Sequence, residues 1–556
     1  MPSLSRRNLL LFAAVVAVSG CLNLFHPLLQ GKWAGNVGDG RWNMYLVEHH
    51  YKVLTDSKYP GTYSTAPFWY PGNHNNLAYS DLMAGALPLY ILPRSVLPRE
   101  TAFQAFLILA ALCNFAAFLL LLLEAGAAAP IAIAGAGVFA FGAHRVQMHL
   151  GYTQYALQAY GVLSIWCWLR FWRTRRPIYL FGLVLAAGLQ TATGAYAGYL
   201  LVLALVIMTV VRCLVEPVER IELWHALRRG YFAWAGALAC GAVVPAILLL
   251  PYLRTSGAAL RREWWEVSLF FPSPLFWFQP LRQTLWWWLC RWTLGEPQWP
   301  ESHFIGAAVW LAVIAGLWWF LRRAPSRNDA RVRLAAVCTI SELTLMLLVT
   351  RWWANAPTPW RLLYDFLPGA NEMRDVRRLS LAANPLLLLA GSLVVTCAAT
   401  RYTRRWWLWC VAALALAENV TPFAYQYDRD WYAEPSEEIR AALRGASSAA
   451  GFLDPALPDW AFNYNLQLIA QEMDVPLVNG ASGHYIPGYP PIIRPGDVAS
   501  KGQVLAFNGL VYLVPRAAEQ ELSRELRENG FTLRNSGQTF AVYTLHPRAR
   551  GGAPVY

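Results

Sequence analysis

Apolar residues recur along this chain in runs long enough to cross a hydrocarbon core about 30 Å thick. They predict spans near residues 8–29, 103–123, 127–143, 153–172, 177–193, 195–214, 231–252, 304–321, 334–350, 379–400 and 406–421. The expected fold is an all-α polytopic membrane domain of about eleven transmembrane helices over residues 1–421. Beyond Thr421 the pattern changes to short mixed segments. Pro435-Ser436-Glu437-Glu438-Ile439 opens a helix, residues 518–528 read as a charged helix, and 504–507, 511–514 and 539–545 read as strands. A small C-terminal α/β domain over residues 422–556 follows.

Polar positions decide how the spans are connected. With the N-terminus inside, the internal loops receive Arg6 and Arg7, then Arg170, Arg173, Arg175 and Arg176, then Arg212, Arg220, Arg228 and Arg229. Arg322, Arg323, Arg327, Arg331 and Arg333 follow, and Arg401, Arg404 and Arg405 close the series. Apart from the short hinge at 124–126, every internal connection is arginine-rich, as the positive-inside rule requires. The external parts are then 30–102, 253–303, 351–378 and the tail. Residues 77–97 are apolar enough to suggest another span, but Asp81, Pro88, Pro93 and Arg94 interrupt them, and a crossing there would invert the later arginine loops. That stretch should lie along the interface or dip in and return.

The net charge of +13 fits this reading. Residues 422–556 hold 11 Lys and Arg against 14 Asp and Glu, so the positive excess belongs to the membrane part. It reads as a topology signal and not as a nucleic-acid footprint. Of nine cysteines all but Cys290 fall in apolar spans, and no Cys or His pair has zinc spacing. Ser5-Arg6-Arg7 resembles a twin-arginine signal and Val18-Ser19-Gly20-Cys21 a lipoprotein box, yet the apolar run continues to Leu29 and is read as a retained first span.

Candidate chemistry gathers in the external parts. Asp39, between Gly38 and Gly40, is either the acid of a simple turn or an uncrowded carboxylate able to act as a general base. Glu48 either pairs with an arginine or binds substrate, and Asp81 is either a helix cap or a second working carboxylate. His144, Arg145, His149 and Gln154 near one helix end suit a phosphate or sugar hydroxyls, or else snorkel. Glu263 and Glu266 stand beside Trp264 and Trp265, ahead of Trp286-Trp287-Trp288, a tryptophan density suited to lipid head groups or sugar faces. Arg374, Arg377 and Arg378 oppose the charge bias directly before a span. An external phosphate would explain them, and so would salt bridges to Glu263, Glu266 or Asp39. The Gly, Pro and Tyr stretch Asn479–Pro491 is either a structural loop or a surface for sugar rings.

Five phrases together carry a resemblance: Gly38 through Glu48, Phe68-Trp69-Tyr70-Pro71 with Ala78-Tyr79-Ser80-Asp81, Arg145 through Gln154, Pro368 through Arg378, and Pro476 through Tyr485. With an internal N-terminus and a soluble external tail, the chain resembles the GT-C superfamily of integral-membrane glycosyltransferases, in a largely uncharacterised bacterial subgroup. The resemblance implies transfer of a sugar from a polyprenyl-phosphate donor to an extracytoplasmic glycan, lipid or protein acceptor, with Asp39 as base. It implies residence in the bacterial inner membrane, with a cytoplasmic N-terminus and a periplasmic C-terminal domain. Many members carry a second acid where Gly40 and Arg41 stand here, so a divalent cation, Mg or Mn, stays open. The alternative is a transporter, flippase or scaffold that handles lipid-linked sugars without catalysis. Transporters place ionisable residues near mid-membrane, whereas here Glu342 and Glu418 are the main internal exceptions.

Overall fold

A computed structural model of the chain describes residues 6–68, 75–255, 260–294, 303–322, 329–353, 358–399, 406–431, 433–444, 446, 449–452, 460–477, 511–528 and 530–545. Each expected span coincides with a helix: Arg6–Leu24, Arg99–Ala125, Ala129–Phe141, Ala159–Thr174, Pro177–Thr193, Ala195–Val215, Pro217–Leu248, Ala307–Arg322, Ala330–Val349, Ser380–Ala399 and Trp407–Ala417. Among the described residues seven helical segments are long and apolar enough to cross a membrane, and three of the remaining helices are shorter and apolar. Hydrophobic residues such as Val202, Val206, Val210, Leu311 and Ile314 are exposed on these helices, as a lipid-facing surface requires. The stretch 77–97 is not a crossing: it breaks into short turns at Asn76–Tyr79 and Ala84–Ala86 and an eight-residue helix, Leu87–Arg94. Eight residues rise only about 12 Å.

The chain forms two compact units, each drawn from separate stretches of sequence. One comprises Met1–Gly35, Met83–Leu250 and Arg261–Gln426 and contains the long helices. In it, Gly85 lies so close to the helix Pro177–Thr193 that a Cβ would stand 2.3 Å from Thr193 Oγ1. Glu418, an acid in an apolar setting, is accounted for: its carboxylate accepts from Trp286 Nε1 at 2.7 Å and from the backbone N–H groups of Ala307 and Ala308 at 3.1 and 3.3 Å. Those are the first residues of a helix whose dipole favours an anion at that end.

The other unit comprises Asn36–Leu82, Pro251–Leu260 and Tyr427–Tyr556. Its sheet has the order 450–452, 511–515, 540–545, 531–536, with the first pair parallel and the others antiparallel. The charged helix is Arg516–Glu528, and the helix over the 435–439 phrase is Ala433–Leu443. Glu438 of that helix accepts from the backbone N–H groups of Gln538, Thr539 and Phe540, fastening it to the turn between the last two strands. The expected strand at 504–507 lies outside the described residues.

Candidate functional site

The Gly38-Asp39-Gly40 sequence is the start of a helix and not an isolated turn. Asp39 is the first residue of Asp39–Thr55, with Gly38 at the cap, and is half-buried. A carboxylate in the first turn suits the helix dipole. The helix is held along its length by other parts of the same unit. The Arg41 guanidinium donates to Asn465 Oδ1 and lies 5.6 Å from the Trp431 ring centroid. Trp42 stacks on Tyr45, touches Phe68 and Tyr464, and donates from Nε1 to Ser80 Oγ at 2.9 Å. Gln471 donates to the Tyr45 carbonyl at 3.0 Å, and Lys52 pairs with Asp474 while donating to the Gln471 carbonyl.

Glu48 is buried on this helix, next to two buried histidines. His49 donates from Nε2 to the Thr62 carbonyl at 2.8 Å, which leaves Nδ1 to accept the Tyr59 hydroxyl at 2.9 Å. His50 Nε2 donates to the Leu82 carbonyl at 2.7 Å, and its Nδ1 is buried without a hydrogen-bond partner. Burial pushes His49 down to about 3, with the neighbouring His50 adding to the shift, and burial likewise pushes His50 down to about 4. Both rings are neutral packing elements at neutral pH. Asp81 lies between two short turns whose N-cap positions are held by Asn75 and Met83, both with positive φ.

In the helical unit Arg145 and Arg378 converge on one tyrosine, Tyr155. Arg145, buried, donates to the carbonyls of Tyr155 and Ala156 at 3.2 and 3.1 Å. Arg378 donates to the Tyr155 hydroxyl at 2.7 Å, and its guanidinium lies 4.8 to 5.2 Å from the ring centroids of Tyr152, Tyr155 and Tyr196. The connecting chain includes a π-helical turn, Gln147–Gly151, closed by a bond from the Tyr152 N–H to the Gln147 carbonyl. Such turns recur at functional sites. His149 donates to the Leu107 carbonyl at 2.8 Å, and His144 and Gln154 are also buried. None of these four side chains snorkels into solvent.

Of Arg374, Arg377 and Arg378, two are neutralised by a local acid and not by the distant ones expected. Arg377 grips Asp375 bidentately, at 2.9 and 2.8 Å, and Arg378 approaches it at 3.6 Å. Burial alone would raise the Asp375 carboxyl, but Arg377 and Arg378 hold it below the ordinary carboxylate range. Glu266 pairs instead with Arg262 at 3.0 Å, and Glu263 is exposed ahead of the short helix Trp264–Ser268. Arg374 is exposed: its backbone N–H meets the Tyr196 hydroxyl at 3.1 Å and its guanidinium lies 5.6 Å from the Phe270 centroid. Gly369, with φ +83°, makes the turn that launches this segment beside the Tyr199 ring. His303, buried against Phe276 and Trp277, is pushed down by burial to about 3.

Sequence reasoning missed Asp375 as a partner although it stands within the phrase it neutralises, and it missed the tyrosines that surround Arg378. Among the described residues no three His, Cys, Asp or Glu side chains gather as a metal site. The tail phrase Asn479–Pro491 lies outside the described residues, as do Trp69, Tyr70 and Pro71.

No family model matches the chain, and no curated protein matches it. Among solved structures it is similar to the arabinofuranosyltransferase AftD from Mycobacteria, with a TM-score of 0.55 at 16% identity, over 99% of this chain and 40% of that one. The chain therefore spans less than half the length of AftD. A second match, ArnT from Cupriavidus metallidurans bound to undecaprenyl phosphate, has a TM-score of 0.37 at 12% identity, over 97% and 98% of the two chains, too low to argue from. The likeness to AftD is one of fold: this chain shares a polytopic, largely helical architecture with it.

Proposed function

We propose that this protein is a glycosyltransferase of the bacterial inner membrane that moves a sugar from a polyprenyl-phosphate donor to an extracytoplasmic acceptor. The observation that carries the reading is the likeness of nearly the whole chain to AftD, a protein named as an arabinofuranosyltransferase. The half-buried Asp39 carboxylate at a helix start supplies the kind of base the reaction asks for. An acceptor hydroxyl oxygen attacks the anomeric carbon while Asp39 takes its proton. The bond from that carbon to the phosphate oxygen breaks, and the polyprenyl phosphate leaves with the bonding electrons. A cation beside the phosphate offsets the charge that builds there.

The test is incubation of the purified protein with radiolabelled polyprenyl-phosphate sugars, with and without EDTA, scoring released polyprenyl phosphate. A positioned base contributes about 10²- to 10⁴-fold, so Asp39→Asn should insert and fold but lose activity on that scale. Undiminished transfer by that variant would remove Asp39 from the mechanism. A carrier without catalysis is favoured by one observation: Glu342 is buried in the helix Ala330–Val349, and its Oε2 has no hydrogen-bond partner among the described residues. Ionisable residues at membrane depth mark transport paths. Uptake of intact donor without cleavage would establish that reading instead.

A further inference from the structure

The helical unit has a sizeable opening whose walls include none of the residues assigned to transfer. A cavity of about 680 Å³ runs between the helices Ala159–Thr174, Pro177–Thr193, Ala195–Val215 and Pro217–Leu248. Its walls are apolar, with Trp168, Trp172, Leu183, Leu205, Val206 and Pro245 among them. Val202, Val206 and Val210 on one wall are exposed, so it is a lateral groove open to the surroundings of the helices. Gly188 sets its floor: a Cβ there would come within 2.2 Å of Pro245, so only glycine lets the second and fourth of these helices meet.

Length and charge identify what fills it. The wall from Leu180 to Thr191, at 1.5 Å per residue, is roughly 16 Å long, half of a hydrocarbon core about 30 Å thick. The groove thus has the depth of a single leaflet. Trp168 and Trp172 line it at the end where arginines gather. The Arg212 guanidinium lies 5.3 and 4.9 Å from their ring centroids, and that of Arg175 lies 4.8 Å from Trp172. Glu216 and Glu219 bind Arg212, and Arg333 reaches Glu216 at 3.5 Å. Glu219 and Glu222 also face Arg175.

Arg175 is not satisfied by these acids. Its Nη2 is 3.9 Å from the Glu219 carboxylate, and its Nη1 is buried with no hydrogen-bond partner among the described residues. Arg176, next to it in sequence, and Arg220, next to Glu219, add exposed positive charge. Arg175 also has φ +55°, a left-handed conformation at a helix C-terminus that usually falls to glycine or asparagine. Strain kept at a non-glycine residue is a sign of use.

We propose that this groove binds one anionic phospholipid from the arginine-rich leaflet, with an acyl chain along the wall Leu180–Thr191 and its phosphate at Arg175. The site is separate from the donor site and does not depend on the protein being a transferase. The phosphate supplies the acceptor that Arg175 Nη1 lacks, through a charge-assisted hydrogen bond. The chain covers apolar surface that the helices leave open.

The protein would be placed in phosphatidylcholine nanodiscs with a trace of phosphatidylglycerol carrying a diazirine in its acyl chain, irradiated, and mapped by peptide mass spectrometry. Crosslinks are expected within residues 180–191 and 202–210, competed by unlabelled phosphatidylglycerol. Arg175→Ala should reduce them about tenfold, the scale of one lost hydrogen bond to a charged group. Val206→Trp, on an exposed helix surface where folding is undisturbed, should abolish them by filling the groove. Equal labelling by a diazirine phosphatidylcholine, stronger competition by undecaprenyl phosphate than by phosphatidylglycerol, or no labelling of these segments would each overturn the proposal. None of these readouts uses sugar transfer.

Discussion

The guanidinium of Arg41, two residues beyond Asp39, donates to the side-chain oxygen of Asn465, 424 residues further along the chain. Both groups are buried. The helix Asp39–Thr55 is therefore held by a helix of the C-terminal region, Trp460–Glu472, which also supplies Gln471 and lies just before Asp474.

Asn465→Ala leaves Arg41 without that acceptor. Removing one partner of a buried, charged hydrogen bond costs about 1–3 kcal/mol or more, so the thermal midpoint should fall. If the helix positions Asp39, kcat for transfer should drop while KM for the donor changes little, and Asn465→Asp, which keeps an acceptor, should restore much of it. A loss of stability with kcat unchanged would show that the contact is structural only.

His49 and His50 predict acid sensitivity. Each has a folded pKa below its unfolded value of about 6.5, so the unfolded state binds more protons between the two values, and stability falls as pH drops through that window. For His50, held at about 4, the contribution present above pH 6.5 is of the order of 3 kcal/mol and is lost progressively towards pH 4. Thermal melts at falling pH should show this decline. His50→Gln, which keeps a donor for the Leu82 carbonyl, should flatten it.

Arg374 and Asp375 are neighbours with opposite expected phenotypes. Arg374→Ala removes an exposed side chain, so stability should change by only about 0.5 kcal/mol or less. If it meets the donor phosphate, donor KM should rise about tenfold and wild-type affinity should weaken with added salt. Asp375→Ala leaves Arg377 buried without its bidentate partner and should destabilise by about 3–5 kcal/mol.

Arg378→Lys tests the tyrosine cage. Lysine keeps the charge but loses the planar face that stacks on Tyr152 and Tyr196. A loss of stability or activity close to that of Arg378→Ala is expected. Full retention would show that charge alone matters there.

The membrane architecture was legible because its signal is local: an apolar run of sufficient length, ended by arginines, needs no knowledge of distant residues. The eleven runs fall on eleven helices for that reason, and Pro88, Pro93 and Asp81 correctly mark 77–97 as broken. The candidate site was less legible. Arg145 and Arg378 were both singled out, but their meeting at Tyr155 joins segments 223 residues apart and leaves no periodic trace. Asp375 was passed over for more distant acids although a carboxylate two residues from an arginine is the cheaper partner in loop entropy. The helix Trp460–Glu472 and the strands at 450–452 and 531–536 were not read at all, and the grouping of 36–82 with the tail has no local signature.

That grouping bears on how the molecule is made. During synthesis the helix Asp39–Thr55 emerges hundreds of residues before Asn465, Gln471 and Asp474 exist. At about 5–20 residues per second, tens of seconds pass in which Arg41, the Tyr45 carbonyl and Lys52 wait for their C-terminal partners. The nascent first loop is thus an orphan for most of translation, and a ribosome stalled before codon 460 would leave it a ready target for proteases.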